Sequence, residues 1–162
     1  MSMPMIVPVL RHLKTQLSSI RKADGYYYDV TADQVLDVKR DLTSDGSAIG
    51  PNCALYVTGW EKRQTGDEAN YGQVLAVVGM ALDFAVQVQT DSVEELMQAA
   101  ADFERAVKKD YSQGGTCKNT TSPTLLIFEL DPSGWFFASL KFDCLVPWGE
   151  NDPSAEFSTT YN

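Results

Sequence analysis

The stretch Val74-Leu75-Ala76-Val77-Val78-Gly79-Met80-Ala81-Leu82-Asp83-Phe84-Ala85-Val86-Gln87-Val88 decides the fold. Val74, Ala76, Val78, Met80, Leu82, Phe84, Val86 and Val88 fall on every second position without a break, while the residues between them turn polar at Asp83 and Gln87. This period of two describes a strand with one wholly apolar face; a helix needs spacings of three and four. Gly79 sits mid-strand and predicts a bend or bulge, because so long a straight strand is unusual.

A single apolar face must be covered by another layer. Upstream, Ile6, Val9, Leu10, Leu13, Leu17 and Ile20 recur at helical spacing, with Pro8 suited to the first turn and Gly25 to a C-terminal stop. The spacing predicts an amphipathic helix over 6–22. Downstream, Val93, Leu96, Met97, Ala100, Phe103 and Val107 form a second helical stripe. Asp91 and Glu94 have capping-box spacing at its start, Lys108 and Lys109 suit the negative end, and Glu104–Lys108 is a favourable i,i+4 pair. That helix is expected to end before Gly114-Gly115.

Gln34 to Arg40 reads as a short strand, and 42–52 (LTSDGSAIGPN) as a loop. Cys53, Leu55 and Val57 alternate with polar or small residues in a strand running to Arg63, and 64–70 (QTGDEAN) has the length of a hairpin connection. Leu125 to Leu130 predicts a strand, Asp131-Pro132-Ser133-Gly134 a type I turn, and Phe136, Ala138, Leu140, Phe142, Cys144 and Val146 a returning strand ended by Pro147. The expected fold is α+β: an antiparallel or mixed β-sheet with two amphipathic helices packed on one face. Residues 1–150 form one domain with no second core, and 151–162 a flexible polar tail.

Composition narrows function. The 162 residues include 22 acidic and 13 basic side chains, for a net charge of −9. Residues 1–40 carry +2, so the remainder carries −11. This balance opposes non-specific nucleic-acid binding, which relies on neutralising phosphates. A basic start joined to an acidic body can order neighbouring copies head to tail, although a solvated acidic face is the plainer reading. The start, MSMPMIVPVLRH, lacks the features of a signal peptide, and no apolar run is long enough to span a bilayer. With an odd number of cysteines and no CxxC pair, the chain reads as one made in a reducing, aqueous compartment.

Catalytic patterns are missing. His12 is the one histidine, set in a helix beside Arg11 and Lys14. It could join Cys53, Cys117 and Cys144 in a zinc site, but Cys53 and Cys144 are in phase with core residues, where cysteine behaves as a small hydrophobe. No Ser or Cys resembles a nucleophile elbow, and no glycine run forms a phosphate loop. No metal, cofactor or enzymatic activity is expected; a small cytosolic hydrolase or a ligand-binding module is the alternative from another class. What remains is a set of aromatic and charged residues at element ends, namely Tyr26, Tyr27, Trp60, Glu61, Arg63 and Trp148, candidate anchors for a subunit or partner interface.

The run I-R-K-A-D-G-Y (Ile20 to Tyr26), a short strand ending in Lys39-Arg40, and Pro51 leading into a strand that ends with Trp60-Glu61 give the chain a recognisable profile. With the long β segment, the D-S-V-E-E-L helix (Asp91 to Leu96) and a closing strand leading to Asp152-Pro153, it resembles the tail terminator, or tail-completion, proteins of tailed phages (minor tail protein U-like). The resemblance implies a ring, typically hexameric, that ends the tail tube and joins tail to head. It also implies a virion location at the tail–neck junction after synthesis in the host bacterial cytoplasm. The implied partners are further copies of the chain, the tail-tube protein and a head-completion or neck protein, with no membrane and no specific nucleic-acid partner. A head–tail connector is the neighbouring alternative. The family brings no catalytic residues with it.

Overall fold

The computed structural model describes residues 6–36, 42, 50–64, 73–87, 93–128 and 134–149. Its elements in chain order are α1 (Ile6–Leu17), β1 (Val35–Leu36), β2 (Asn52–Gln64), β3 (Gln73–Gln87), α2 (Glu94–Lys108), β4 (Asn119–Thr120), β5 (Thr124–Ile127) and β6 (Trp135–Gly149). The strands form one mixed sheet in the order β1-β2-β3-β6-β4, with β5 also on β6. β1 runs parallel to β2 and every other pairing is antiparallel. The α+β arrangement read from the sequence is the one observed.

β3 is the spine. It pairs with β2 from Gln64↔Val74 to Asn52↔Ala85, and with β6 from Gln73↔Gly149 to Gln87↔Trp135. Ala76, Val78, Met80, Leu82, Phe84 and Val86 are all buried on one face, as the alternation predicts; Val88 lies outside the described residues. Cys53 and Leu55 of β2 and Ala138, Leu140, Phe142, Cys144 and Val146 of β6 extend that face, and α1 and α2 close over it. Phe84 meets Phe103 of α2 with ring centroids 5.1 Å apart and planes inclined at 59°, a tilted geometry that joins sheet to helix.

The bulge expected at Gly79 lies instead on the neighbouring strand. Val57 pairs with Met80 and Gly59 with Gly79, so Thr58 is the extra residue in β2. A Cβ on Gly79 would approach Thr58 Oγ1 to 2.7 Å, so the glycine makes room for the bulge. The inserted residue shifts the alternation of β2 by one. Trp60, which would otherwise turn to the opposite face, instead pairs with buried Val78 and falls on the helix side.

Several boundaries differ from expectation. α1 ends at Leu17 rather than 22. Ser19 Oγ donates to Thr15 O at 2.7 Å and Ser18 Oγ to the same oxygen at 3.2 Å, while Arg21 Nη1 donates to Ser18 O, Ile20 O and Val30 O. Side chains therefore satisfy carbonyls that a further helical turn would have used. Gly25 does sit at positive φ (88°), but it closes a 3-10 turn over Lys22–Asp24. The short strand expected over 34–40 contributes Val35–Leu36, with 37–40 outside the described residues. Asp91 and the 151–162 tail also lie outside them, and Val93 at the start of α2 makes no side-chain cap.

On α2, Leu96, Ala100, Phe103 and Val107 are buried as predicted, but Val93 and Met97 are half exposed. The buried face is rotated toward Ala99, Asp102 and Ala106, whose small or hydrogen-bonding side chains allow close approach. Pro147 does not end β6. Leu145 O accepts from Lys118 N–H, so backbone groups at 145 point toward β4, and the Pro147 nitrogen, two residues on, points to the same side past β4's end. There a missing N–H breaks no ladder bond. Finally, Leu42, Ala54, Ala85 and Trp135 form a small buried cluster on the sheet's other face, an apolar patch that the sequence reading did not separate from the main core.

Gly79→Ile should lower stability by about 1–3 kcal/mol through crowding at the bulge. Adding Thr58→Ala should recover part of the loss, measured as the shift in urea unfolding midpoint.

Candidate functional site

The tyrosine run owes its position to one carboxylate. Asp102, on the inner face of α2 and 3% exposed, accepts Tyr27 N–H at 3.0 Å (Oδ1) and Tyr28 N–H at 2.9 Å (Oδ2). Tyr28 Oη donates to Glu95 O at 3.2 Å, and burial beside Glu95 and Asp102 pushes its phenol up to about 12. The Arg105 guanidinium lies 4.2 Å over the Tyr26 ring while its nitrogens donate to Gly25 O and Asp24 O. The connection after α1 is thereby strapped across α2. Burial raises the Asp102 carboxyl above its usual range, and the two N–H donors with Arg105 pull it back only in part.

A second strap closes the turn after α2. Asp110 accepts from Ser112 N–H, Ser112 Oγ and Gly114 N–H at 3.0, 2.7 and 2.8 Å, which holds its carboxyl below the usual range, helped by His12 at 3.5 Å. His12 also packs on Gly114, where a Cβ would come within 2.8 Å of Nδ1. The chain's histidine thus docks this turn on α1. Among the described residues no three His, Cys, Asp or Glu side chains converge to hold a metal.

The candidate anchors fall into two groups. Trp60, Glu61 and Arg63 lie on β2, and register places Trp60 opposite Val78, Arg63 opposite Leu75 and Trp148 opposite Val74, all toward one end of the three long strands. Trp60 is 61% exposed although Val78 beside it is buried. Tyr26 and Tyr27 are not brought to this end: they belong to the strap on α2, Tyr26 half buried under Arg105 and Tyr27 exposed.

The sequence reading missed the most apolar exposed surface. Leu126, Ile127 and Phe128 are 42%, 51% and 52% exposed at and beyond the end of β5. β5 pairs with β6 on one side, Thr124↔Lys141 to Ile127↔Ala138, and among the described residues nothing pairs with its other side. At the far margin, among the described residues, β1 covers β2 at Cys53 and Ala54. Among the described residues both margins therefore carry unpaired strand edge, with exposed apolar side chains beside each. The available signal was Leu125-Leu126-Ile127-Phe128 itself: four apolar residues in a row put apolar groups on both faces of a strand, and helices cover only one.

Two concavities lie among the described residues. One of ≈ 680 Å³ follows α2 past Tyr26, Glu104, Arg105 and Lys109, and one of ≈ 310 Å³ lies at Gly79 between Thr58 and Asp143. No helix among the described residues is long and apolar enough to cross a membrane.

Asp102→Ala, which leaves two N–H donors without an acceptor, should cost about 2–3 kcal/mol in urea unfolding. The two carboxylates should titrate with opposite sign. A lowered pKa stabilises above the unfolded value and the benefit disappears as pH falls, so the gap between wild type and Asp110→Asn should shrink in acid. A raised pKa favours the fold as pH falls, so wild type should gain on Asp102→Asn between pH 7 and about 4. Unfolding midpoints measured across that range check both slopes.

No family model matches the sequence. No curated protein matches it either. Among solved structures the chain is similar to one described as "Virion of native gene transfer agent (GTA) particle", at 10% identity and a TM-score of 0.42, covering 85% of this chain and 93% of that one.

Proposed function

We propose that this chain is a virion structural protein of a tailed phage that associates with copies of itself as a ring at the tail–neck junction. The ring ends the tail tube and joins tail to head, a non-catalytic role. The observation that carries the reading is strand edge left unpaired at both margins among the described residues, with exposed apolar side chains beside it, Trp60 on one side and Leu126, Ile127 and Phe128 on the other. An open edge strand is a template for pairing, and monomeric proteins usually blunt such edges. Two different margins meeting between successive copies make a heterologous contact, and such contacts close into rings when the rotation allows. The sequence resemblance to tail terminators supports the same reading.

In this ring Trp60, Glu61 and Arg63 of β2 and Trp148 of β6 mark the end of the long strands that faces a neighbour or the tail tube, and Tyr26 and Tyr27 a second contact on α2. The basic start and acidic body orient one copy against the next, so raised salt weakens the ring.

Light scattering or native mass measurement at high protein concentration, alone and with tail tubes, should find a discrete ring. Ile127→Lys with Phe128→Lys should reduce it to a folded monomer, with circular dichroism unchanged. A wild-type monomer that also ignores tail tubes overturns the proposal. Binding to portal-bearing heads instead of tubes moves the chain to the connector station.

A further inference from the structure

Two of the three thiols sit together. The sulfurs of Cys117 and Cys144 contact a single hydroxyl, Thr120 Oγ1, at 3.6 and 3.9 Å. The backbone fixes this arrangement from both sides: Thr120 is the register partner of Cys144, and Lys118 N–H, the amide just after Cys117, donates at 2.7 Å to Leu145 O, the carbonyl just after Cys144. Thr120, the residue directly opposite Cys144, thus sits between the two sulfurs, with Cys117 in the turn just before β4. Both side chains are buried, Cys117 at 5% exposure and Cys144 at 0%. The third thiol, Cys53, lies on β2 opposite Phe84, with β3 between it and β6.

The two thiols differ in character. Interaction with Cys144 moves the Cys117 thiol below its ordinary value, while interaction with Cys117 and burial move Cys144, whose sulfur also meets Met80 Sδ at 3.5 Å, above its own. A pair with one nucleophilic and one proton-holding member is suited to thiol–disulfide exchange.

We propose that Cys117 and Cys144 are a redox pair that closes to an intramolecular disulfide when the folded protein meets a small-molecule disulfide such as oxidised glutathione. The Cys117 thiolate attacks one sulfur of the oxidant, forming a mixed disulfide and expelling one thiolate. Cys144 then loses its proton and attacks the Cys117 sulfur, forming the Cys117–Cys144 bond and expelling the second. Two protein thiols are oxidised, one oxidant disulfide is reduced to two thiols, and the two protons lost by the protein thiols end on the two expelled thiolates. The bond would tie the 110–118 turn to β6 beside β4. For a particle assembled in a reducing cell and released into an oxidising medium, a context that rests on the virion reading above, this fastens the subunit after release. The chemistry itself does not depend on that reading.

The test uses the folded full chain with excess oxidised glutathione, followed by alkylation with N-ethylmaleimide in acidic denaturant and intact mass measurement. The expected product has lost about 2 Da, carries one alkylated cysteine, and yields a linked 117–144 peptide. It should unfold at a higher temperature than the reduced protein. Cys53→Ser should still form the link, and Cys117→Ser should not. Because Cys144→Ser could disturb packing at Met80, Cys117→Ser is the deciding variant, its fold checked by circular dichroism. Three alkylated cysteines after oxidation, a link through Cys53, or a glutathione adduct that never resolves would each overturn the proposal, whether or not the protein forms a ring.

Discussion

The pairing of β3 on both of its sides is the constraint from which the remaining structure follows. Fifteen residues hydrogen-bonded to β2 and β6 form a stiff three-strand plate, and its uninterrupted apolar face has to be kept from water. Among the described residues, two amphipathic helices of 12 and 15 residues cover it. The Phe84–Phe103 contact fixes where α2 lies, and the bulge at Thr58 decides which residues of β2 share the covered face.

Around that plate, polar side chains do the strapping. Asp102 is the clearest case: a carboxylate turned into the sheet side of α2 in order to hold two amides of the tyrosine run. Gln34 acts similarly beside β1, accepting Thr31 N–H and donating to Pro51 O, and buried Asn52 donates to Leu42 O. In each case a buried polar group fixes irregular backbone that has no ladder of its own. His12 and Asp110 do the same for the turn after α2, which is why the chain's histidine has a structural role within the subunit.

On the proposed reading, the strand edges left unpaired among the described residues are where copies of the chain would meet, margin against margin. The charge difference between the first 40 residues and the rest would then steer a contact of apolar and main-chain character. The thiol pair at Thr120 lies where β4 joins β6, so its redox state would act on the same side of the sheet as β5.

The sequence by itself determined the α+β class, the strand identity of 74–87, the two helices and the burial of Cys53 and Cys144, because these rest on periodicity, which is local and repeats over many residues. It could not place the bulge on β2, since the extra residue is defined only against a partner strand's register. Nor could it show that Asp102 faces inward: a lone carboxylate on a helix reads as solvated until the amides it binds arrive from 74 and 75 residues away. Strand edges were equally out of reach. Leu125 to Leu130 reads as a strand with apolar residues on both faces, and only its place on the outer side of β6 shows that Leu126, Ile127 and Phe128 are the exposed ones. Local pattern says which face of an element is apolar; the tertiary arrangement alone decides which of those faces, and which margins, remain for a partner.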